Sequence, residues 1–134
     1  MINSSRSRAL ATARALMQNP SLDLTITAGR DERLRAELVA FAQQAPARVD
    51  VLGWTNRIPE LLMTHHVAIS KAGGATTQGS INALCPLIVS QVVPGQEEGN
   101  YELIRRHEAG VLAETPEAIV AAVTSGALAT NRTE

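Results

Sequence analysis

Hydrophobic residues along the chain follow two periods that alternate from one segment to the next. In residues 9–17 and 34–42 they recur every three or four positions, which is typical of a helix with one buried face. Between these segments Leu24, Ile26 and Ala28 alternate with polar residues, as in a strand. This succession of helical and strand periods favours an α/β fold.

Residues 67–70 and 87–91 are almost continuously apolar, as expected of strands covered on both faces. Gly110 is predicted to end the helix before it as its C′ residue. The elements predicted along the chain are a first helix ending at Asn19-Pro20, a strand at 22–28, a helix that begins at Asp31 or a neighbour and stops at Pro46, a strand at 49–54, a short helix at 59–63, strands at 67–70 and 87–91 with a helix between them, a helix at about 97–107 and a last helix from Thr115-Pro116-Glu117.

Strands separated by helices of this length imply right-handed crossovers and a parallel sheet. We therefore expect a single domain over residues 1–134 with a Rossmann-like, doubly wound parallel sheet. The sequence opens on a helix, whereas such a fold usually opens on a strand and its phosphate-binding turn. The sheet is accordingly expected to lack its first strand.

Composition excludes several classes of protein. The net charge of −1 argues against bulk nucleic-acid binding, and three aromatic residues are too few for a platform that stacks bases. The single cysteine, Cys85, cannot form an internal disulfide. No apolar run approaches the roughly 20 residues that span a bilayer, and no signal-peptide core is evident. These features predict a cytoplasmic protein, and they leave peripheral attachment to the inner face of the membrane open.

Two polar turns follow neighbouring predicted strands. The first, residues 70–77, lies where a strand leads into a helix, and backbone N–H groups with the helix dipole can hold a phosphate there. The second is Pro94-Gly95-Gln96-Glu97-Glu98-Gly99-Asn100. Open α/β sheets bind ligands at the carboxyl ends of neighbouring parallel strands. The two turns therefore predict a nucleotide-sugar site.

From residue 22 to about residue 123 the chain resembles the carboxy-terminal half of GT-B glycosyltransferases. It is most similar to the monogalactosyldiacylglycerol synthases and processive diacylglycerol glucosyltransferases, and more distantly to the GlcNAc transferase that forms lipid II. The segment at 94–100 is the most specific match. The matching residues are Ala28-Gly29-Arg30, Gly53-Trp54, Ser70-Lys71-Ala72-Gly73-Gly74, Pro86 and the whole of 94–100.

The resemblance implies a domain that binds the UDP-sugar donor of an inverting, metal-independent transferase, with no cofactor. Trp54 and Thr55 would lie beside uracil, and Asn100 would brace the loop that holds the sugar. Gln96 and Glu97 would hydrogen-bond sugar hydroxyls, since an amide and a carboxylate together donate and accept. The residues that would hold the diphosphate are Gly73, Gly74, Ala75 and Thr76.

Two departures from the family pattern bear on activity. The family usually has a ribose-binding glutamate where this chain has Gly79, so Gln78 or Asn82 would have to substitute. The acceptor domain, which would supply the catalytic base and the lipid contacts, is missing. The chain is therefore expected to be a fragment, a truncated gene product or a degenerate homologue. As a donor-binding domain it should bind the donor without transferring sugar. No catalytic residue is assigned in it.

Other interpretations stay open at this point. Lys71 is equally consistent with a phosphate contact and with a surface residue. Trp54 is consistent with packing in the core or on the surface, which the sequence favours, and with base stacking. His65-His66 lacks a third ligand at a convincing spacing, so no metal is expected. The rival function is a degenerate, non-catalytic Rossmann-like module that serves in assembly. The lost strand would expose a sheet edge, which predicts self-association.

Overall fold

The computed structural model describes residues 6–92 and 94–124, and in this part of the chain helices and parallel strands alternate as predicted. The α/β fold class is therefore confirmed. The elements in chain order are α1 (Arg6–Met17), β1 (Asp23–Thr27), α2 (Glu32–Ala42), β2 (Arg48–Leu52), α3 (Ile58–Thr64), β3 (Ala68–Lys71), α4 (Gly74–Ala83), β4 (Leu87–Gln91), α5 (Glu98–Arg106), β5 (Gly110–Leu112) and α6 (Pro116–Thr124).

The described strands form two parallel sheets, with the orders β1-β2 and β3-β4-β5. A doubly wound sheet of order 3-2-1-4-5-6 contains the two-stranded group 3-2 and the three-stranded group 4-5-6 on either side of its first strand. Those two groups match the two sheets in strand number, direction and chain order. Within each sheet the strand direction and order are consistent with a Rossmann-like fold.

The chain divides into two compact units, Met1–Asn56 and Arg57–Glu134. In the first unit α1 and α2 pack with β1 around an aliphatic core. The apolar face predicted for the first helix is buried, with Ala13, Leu16 and Met17 all at most 1% exposed. Asp31 begins α2 as its N-cap, since its carboxylate accepts a hydrogen bond from Leu34 N at 3.0 Å.

In the second unit β4 is the central strand, and its residues Leu87, Ile88 and Val89 are fully buried. This agrees with the unbroken apolar run read from the sequence. Ile104 of α5 packs in the same core. The last helix, α6, starts as predicted, because Thr115 Oγ1 accepts a hydrogen bond from Ala118 N at 3.1 Å.

The prediction for Gly110 was wrong. The helix α5 ends at Arg106, and Glu108 adopts the left-handed conformation with φ of 50°. Gly110 instead begins β5, a short strand paired with β4 that the sequence analysis missed. A Cβ at Gly110 would collide with the carbonyl oxygen of Leu87, so glycine is required by the close approach of the two strands.

None of the helices in the described part of the chain is long and apolar enough to cross a bilayer.

Candidate functional site

The turn after β3 is held by backbone hydrogen bonds. The pairing of β3 with β4 shifts register between Ser70 and Lys71, so that Lys71 lies opposite Gln91. Ala72 N then donates to Gln91 O at 3.0 Å, which extends the contact with β4 beyond the strand itself. The Ser70 hydroxyl donates to Lys71 O at 2.7 Å. The turn therefore leaves the sheet from a fixed position.

The amino terminus of α4 has no side-chain cap. Its N-cap is Gly73, with extended backbone at φ −72° and ψ 150°, and the first helical bond runs from Thr77 N to Gly73 O at 2.9 Å. Gly74 and Ala75 are exposed, and a Cβ at Gly74 would meet no atom within 4 Å. An anion can approach these backbone N–H groups, which the helix itself does not satisfy.

The segment after β4 forms a turn that leads into α5. Gly95 has φ of 77°, and its N–H donates to the carboxylate of Glu98 at 2.9 Å. Gln96 is exposed, whereas Glu97 is only 6% exposed. Two neighbouring polar residues of one motif thus have opposite environments, which the sequence did not indicate.

Two side chains connect this segment with the turn after β3. The Lys71 ammonium lies 3.5 Å from a carboxylate oxygen of Glu97. Asn100 Nδ2 donates to Ala72 O at 2.9 Å. This bond reaches from α5 to the glycine turn after β3. The two predicted turns are therefore physically joined at the carboxyl ends of neighbouring parallel strands.

The predicted uracil contacts, Trp54 and Thr55, lie in the first unit, after β2. Trp54 is 60% exposed, so it is not a core residue. The guanidinium carbon of Arg30, from the turn after β1, lies 5.0 Å from the centroid of a Trp54 ring. This cation–π contact orients an exposed aromatic ring at the carboxyl ends of β1 and β2. Sequence reasoning placed both residues in matching motifs but did not pair them.

Gly79 faces the hydrophobic contact between α4 and α3. A Cβ there would lie 2.9 Å from Leu62 Cδ1, so any side chain requires Leu62 to move. Gln78 and Asn82, one turn apart on α4, are both exposed. They, rather than position 79, present polar groups to solvent on this helix.

The adjacent histidines lie between α3 and β3, and His65 takes part in local hydrogen bonds. His65 Nδ1 is within hydrogen-bond distance of Leu61 O, at 2.9 Å, and the buried Cys85 donates to His65 O at 3.4 Å. Within residues 6–92 and 94–124, no group of three or more histidine, cysteine or acidic side chains is arranged to hold a metal ion.

The fold and the two joined turns define a Rossmann-like α/β protein of the kind that binds ligands at the carboxyl edge of its sheet. The comparison with known proteins is more specific. Over 98 residues the chain is 31% identical to the processive diacylglycerol beta-glucosyltransferases of Bacillus thuringiensis (strain Al Hakam) and Bacillus anthracis (strain A0248), and 30% identical to that of Bacillus cereus (strain AH187).

The matched region is 73% of this chain and 25% of each relative, so the chain spans about a quarter of the length of these glycosyltransferases. No protein-family model matches the chain. The similarity to processive diacylglycerol glucosyltransferases, predicted from the motifs, is confirmed. Over these 98 residues the chain is thus similar to glycosyltransferases, and its α/β structure is consistent with a Rossmann-like fold.

Proposed function

We propose that this chain is the donor-binding domain of an inverting, metal-independent glycosyltransferase that uses a UDP-sugar. The observation that carries the proposal is the joining of the two turns, through Lys71 with Glu97 and Asn100 with Ala72. A diphosphate and a sugar are adjacent parts of one donor. A site for both needs two recognition elements held next to each other, which these contacts provide.

The diphosphate is assigned to the start of α4, at Gly73, Gly74, Ala75 and Thr76. UDP gains negative charge as it leaves, and preorganised N–H groups at a helix terminus stabilise charge where it develops. Because no side chain caps this terminus, the N–H groups are accessible to a ligand. The same electrostatic role is often played by a metal ion, and in this proposal the helix terminus takes that role.

The sugar is assigned to Gln96 and Glu97, whose amide and carboxylate can donate to and accept from hydroxyls. For the ribose we favour Gln78 over Asn82, because Gln78 lies one turn closer to the start of α4. The assignment of Trp54 and Thr55 to uracil comes from the family resemblance alone. The assignment of residues 1–134 to one domain comes from the length of the chain.

The acceptor is proposed to be a lipid, because the relatives are named for diacylglycerol. The chain matches a quarter of each relative, so we assign the catalytic base and the lipid contacts to an acceptor domain outside this sequence. The chain alone is then expected to bind the donor without transferring sugar. The full enzyme would work in the cytoplasm, at the inner face of the membrane where its acceptor resides.

An NMR titration of the chain with UDP, with ADP as the control nucleotide, tests the proposal. We expect selective shifts at residues 73–76 and 96–100 with UDP, and unchanged shifts on addition of EDTA. Residues 32–35, at the capped start of α2, serve as an internal control that UDP leaves unmoved. A folded chain that shows no shifts at millimolar UDP contradicts the proposal.

The rival function is a non-catalytic module that serves in assembly, and the packing of Gly79 against Leu62 favours it. If the ancestral ribose ligand stood at position 79, its loss has been followed by closure of that space. This alternative predicts a folded chain that ignores UDP and self-associates. Sedimentation over a range of concentrations, together with the titration, separates the two functions.

A further inference from the structure

The carboxylate of Glu97 is unusual for a surface turn, because its side chain is only 8% exposed. Burying a carboxylate is costly unless a charged or hydrogen-bonding partner accompanies it. Lys71 provides the positive charge, with its Nζ 3.5 Å from Glu97 Oε2. Lys71 is also the only lysine in the sequence. The pair therefore combines the more buried of the two acids in the turn, Glu97, with the single lysine of the sequence, which lies at the end of the neighbouring strand.

The path of the lysine side chain matters as much as its end. Lys71 Cε lies 3.8 Å from the place that a Cβ on Gly73 would occupy, so the stem runs alongside the glycine turn before it reaches Glu97. The Lys71 side chain is 45% exposed, whereas that of Glu97 is almost covered. The ammonium is thus directed from the turn after β3 towards the turn that contains Glu97.

We infer that Lys71 is a positioning residue, which holds the Glu97 carboxylate in place and so determines how much the sugar contributes to donor affinity. This inference rests on the proposed function. An ammonium beside one carboxylate oxygen restricts the positions that the carboxylate can adopt, and a restricted carboxylate loses less entropy when it accepts hydroxyl hydrogen bonds. Lys71 acts through Glu97 and makes its contribution before the donor arrives.

The test compares the affinities of the full chain for UDP and UDP-glucose, measured by calorimetry. The variants are Lys71→Met, Lys71→Arg, Glu97→Gln and the double variant. We expect Lys71→Met to weaken UDP-glucose about tenfold and UDP less than about twofold. Lys71→Arg should restore most of the loss, because guanidinium also pairs with a carboxylate. The double variant should equal Glu97→Gln, since Lys71 has no role without Glu97.

Arg57→Met is the matched control, because it removes a cation from an exposed ion pair with Glu60 on the same unit. It should leave both affinities unchanged. If Lys71→Met does not fold, the double variant removes the buried charge and allows the same comparison with Glu97→Gln.

Three results overturn the inference. Equal losses of UDP and UDP-glucose affinity in Lys71→Met mean that Lys71 contacts the diphosphate directly. A double variant clearly weaker than Glu97→Gln also shows that Lys71 acts independently of Glu97. Unmodified protein that binds neither probe rejects the proposed function and the inference together, whereas the first two results leave the proposed function intact.

Discussion

Two strand-to-helix turns of this protein begin in the same way and end differently. Both start with Ala-Gly directly after a parallel strand, in the turns after β1 and after β3. In each, the alanine N–H bonds to the neighbouring strand, from Ala28 to Leu52 O at 2.8 Å and from Ala72 to Gln91 O at 3.0 Å. The backbone thus leaves both strands under the same constraint.

The difference lies in which group accepts hydrogen bonds from the first N–H groups of the helix that follows. After β1, Asp31 caps α2 with its own carboxylate. After β3, Gly73 occupies the N-cap of α4 and offers no side chain. The carboxylate of Asp31 accepts a hydrogen bond at the start of α2, so a ligand is not needed there. At the start of α4 no side chain accepts from the first N–H groups, so a ligand can do so. The missing cap of α4, next to a second polar turn, therefore supports the proposal that the ligand binds beside β3 and β4 rather than beside β1 and β2.

Exchanging the cap should produce the largest effect. Gly73→Asp places a carboxylate at the start of α4, on backbone that already has the extended conformation of an N-cap. The carboxylate would occupy the N–H groups and repel the diphosphate, so UDP affinity should fall by about 100-fold or more, about 2.7 kcal/mol. Calorimetry with UDP measures the loss.

The fold provides the control for this variant. The melting temperature of Gly73→Asp should be unchanged or slightly higher, because a cap carboxylate stabilises a helix start and a Cβ at Gly73 makes only an ordinary contact. Gly73→Asp that binds UDP as tightly as the unmodified chain would show that the diphosphate does not use this helix terminus.

Removing the lysine that joins the two turns should produce the next largest effect, on stability. Lys71→Met leaves the buried Glu97 carboxylate without its cation, and the free energy of unfolding should fall by about 1–3 kcal/mol. Arg57→Met, in an exposed pair at 3.1 Å, should cost less than about 1 kcal/mol. Urea denaturation compares the two. Equal losses would mean that Glu97 does not depend on Lys71.

Removing the cap of α2 should have a smaller effect, and only on stability. Asp31→Ala removes the cap of α2 and should cost about 1 kcal/mol in the free energy of unfolding. Asp31→Asn retains an oxygen acceptor and should cost less. UDP affinity should be the same in both variants. A loss of UDP binding in Asp31→Ala would show that the first turn also contributes to the site.

The smallest expected change concerns the helices that follow the turns. The helix α2 contains no glycine, whereas α4 contains Gly74 and Gly79. Gly79→Ala should gain up to about 1 kcal/mol of helix propensity and lose a similar amount by displacing Leu62. We expect a net change within about 0.5 kcal/mol, measured by thermal unfolding. A large loss would show that Leu62 cannot move.

Sequence periodicity was sufficient for most of the fold, because helices and strands that bury aliphatic residues show it directly. The start of α2 at or beside Asp31 and the buried run of β4 were both predicted correctly from local patterns. The three-residue strand β5 was missed because it is too short to show a period. Gly110 was consequently interpreted as a helix terminator, although glycine is needed there because the backbone lies close to Leu87 of β4.

The two turns of the candidate site were also visible in sequence, and their motifs predicted the glycosyltransferase relatives. What sequence could not show was the pairing of side chains across them. The burial of Glu97 beside an exposed Gln96 depends on a lysine 26 positions earlier in the chain, and local patterns contain no information about such contacts. The sequence showed that Gly79 lacks the side chain usual in the family. It could not show that Leu62 lies where that side chain would begin.

The narrow spacing between β4 and β5 has a consequence for comparing this chain with its relatives. At position 110 the carbonyl of Leu87 occupies the space in which any side chain would begin, so the requirement for glycine is geometric and owes nothing to ligand binding. Sequences that pair these two strands in the same register should therefore carry glycine here whether or not they retain activity. Such a glycine reports ancestry of the fold, and it gives no evidence that a catalyst has been preserved.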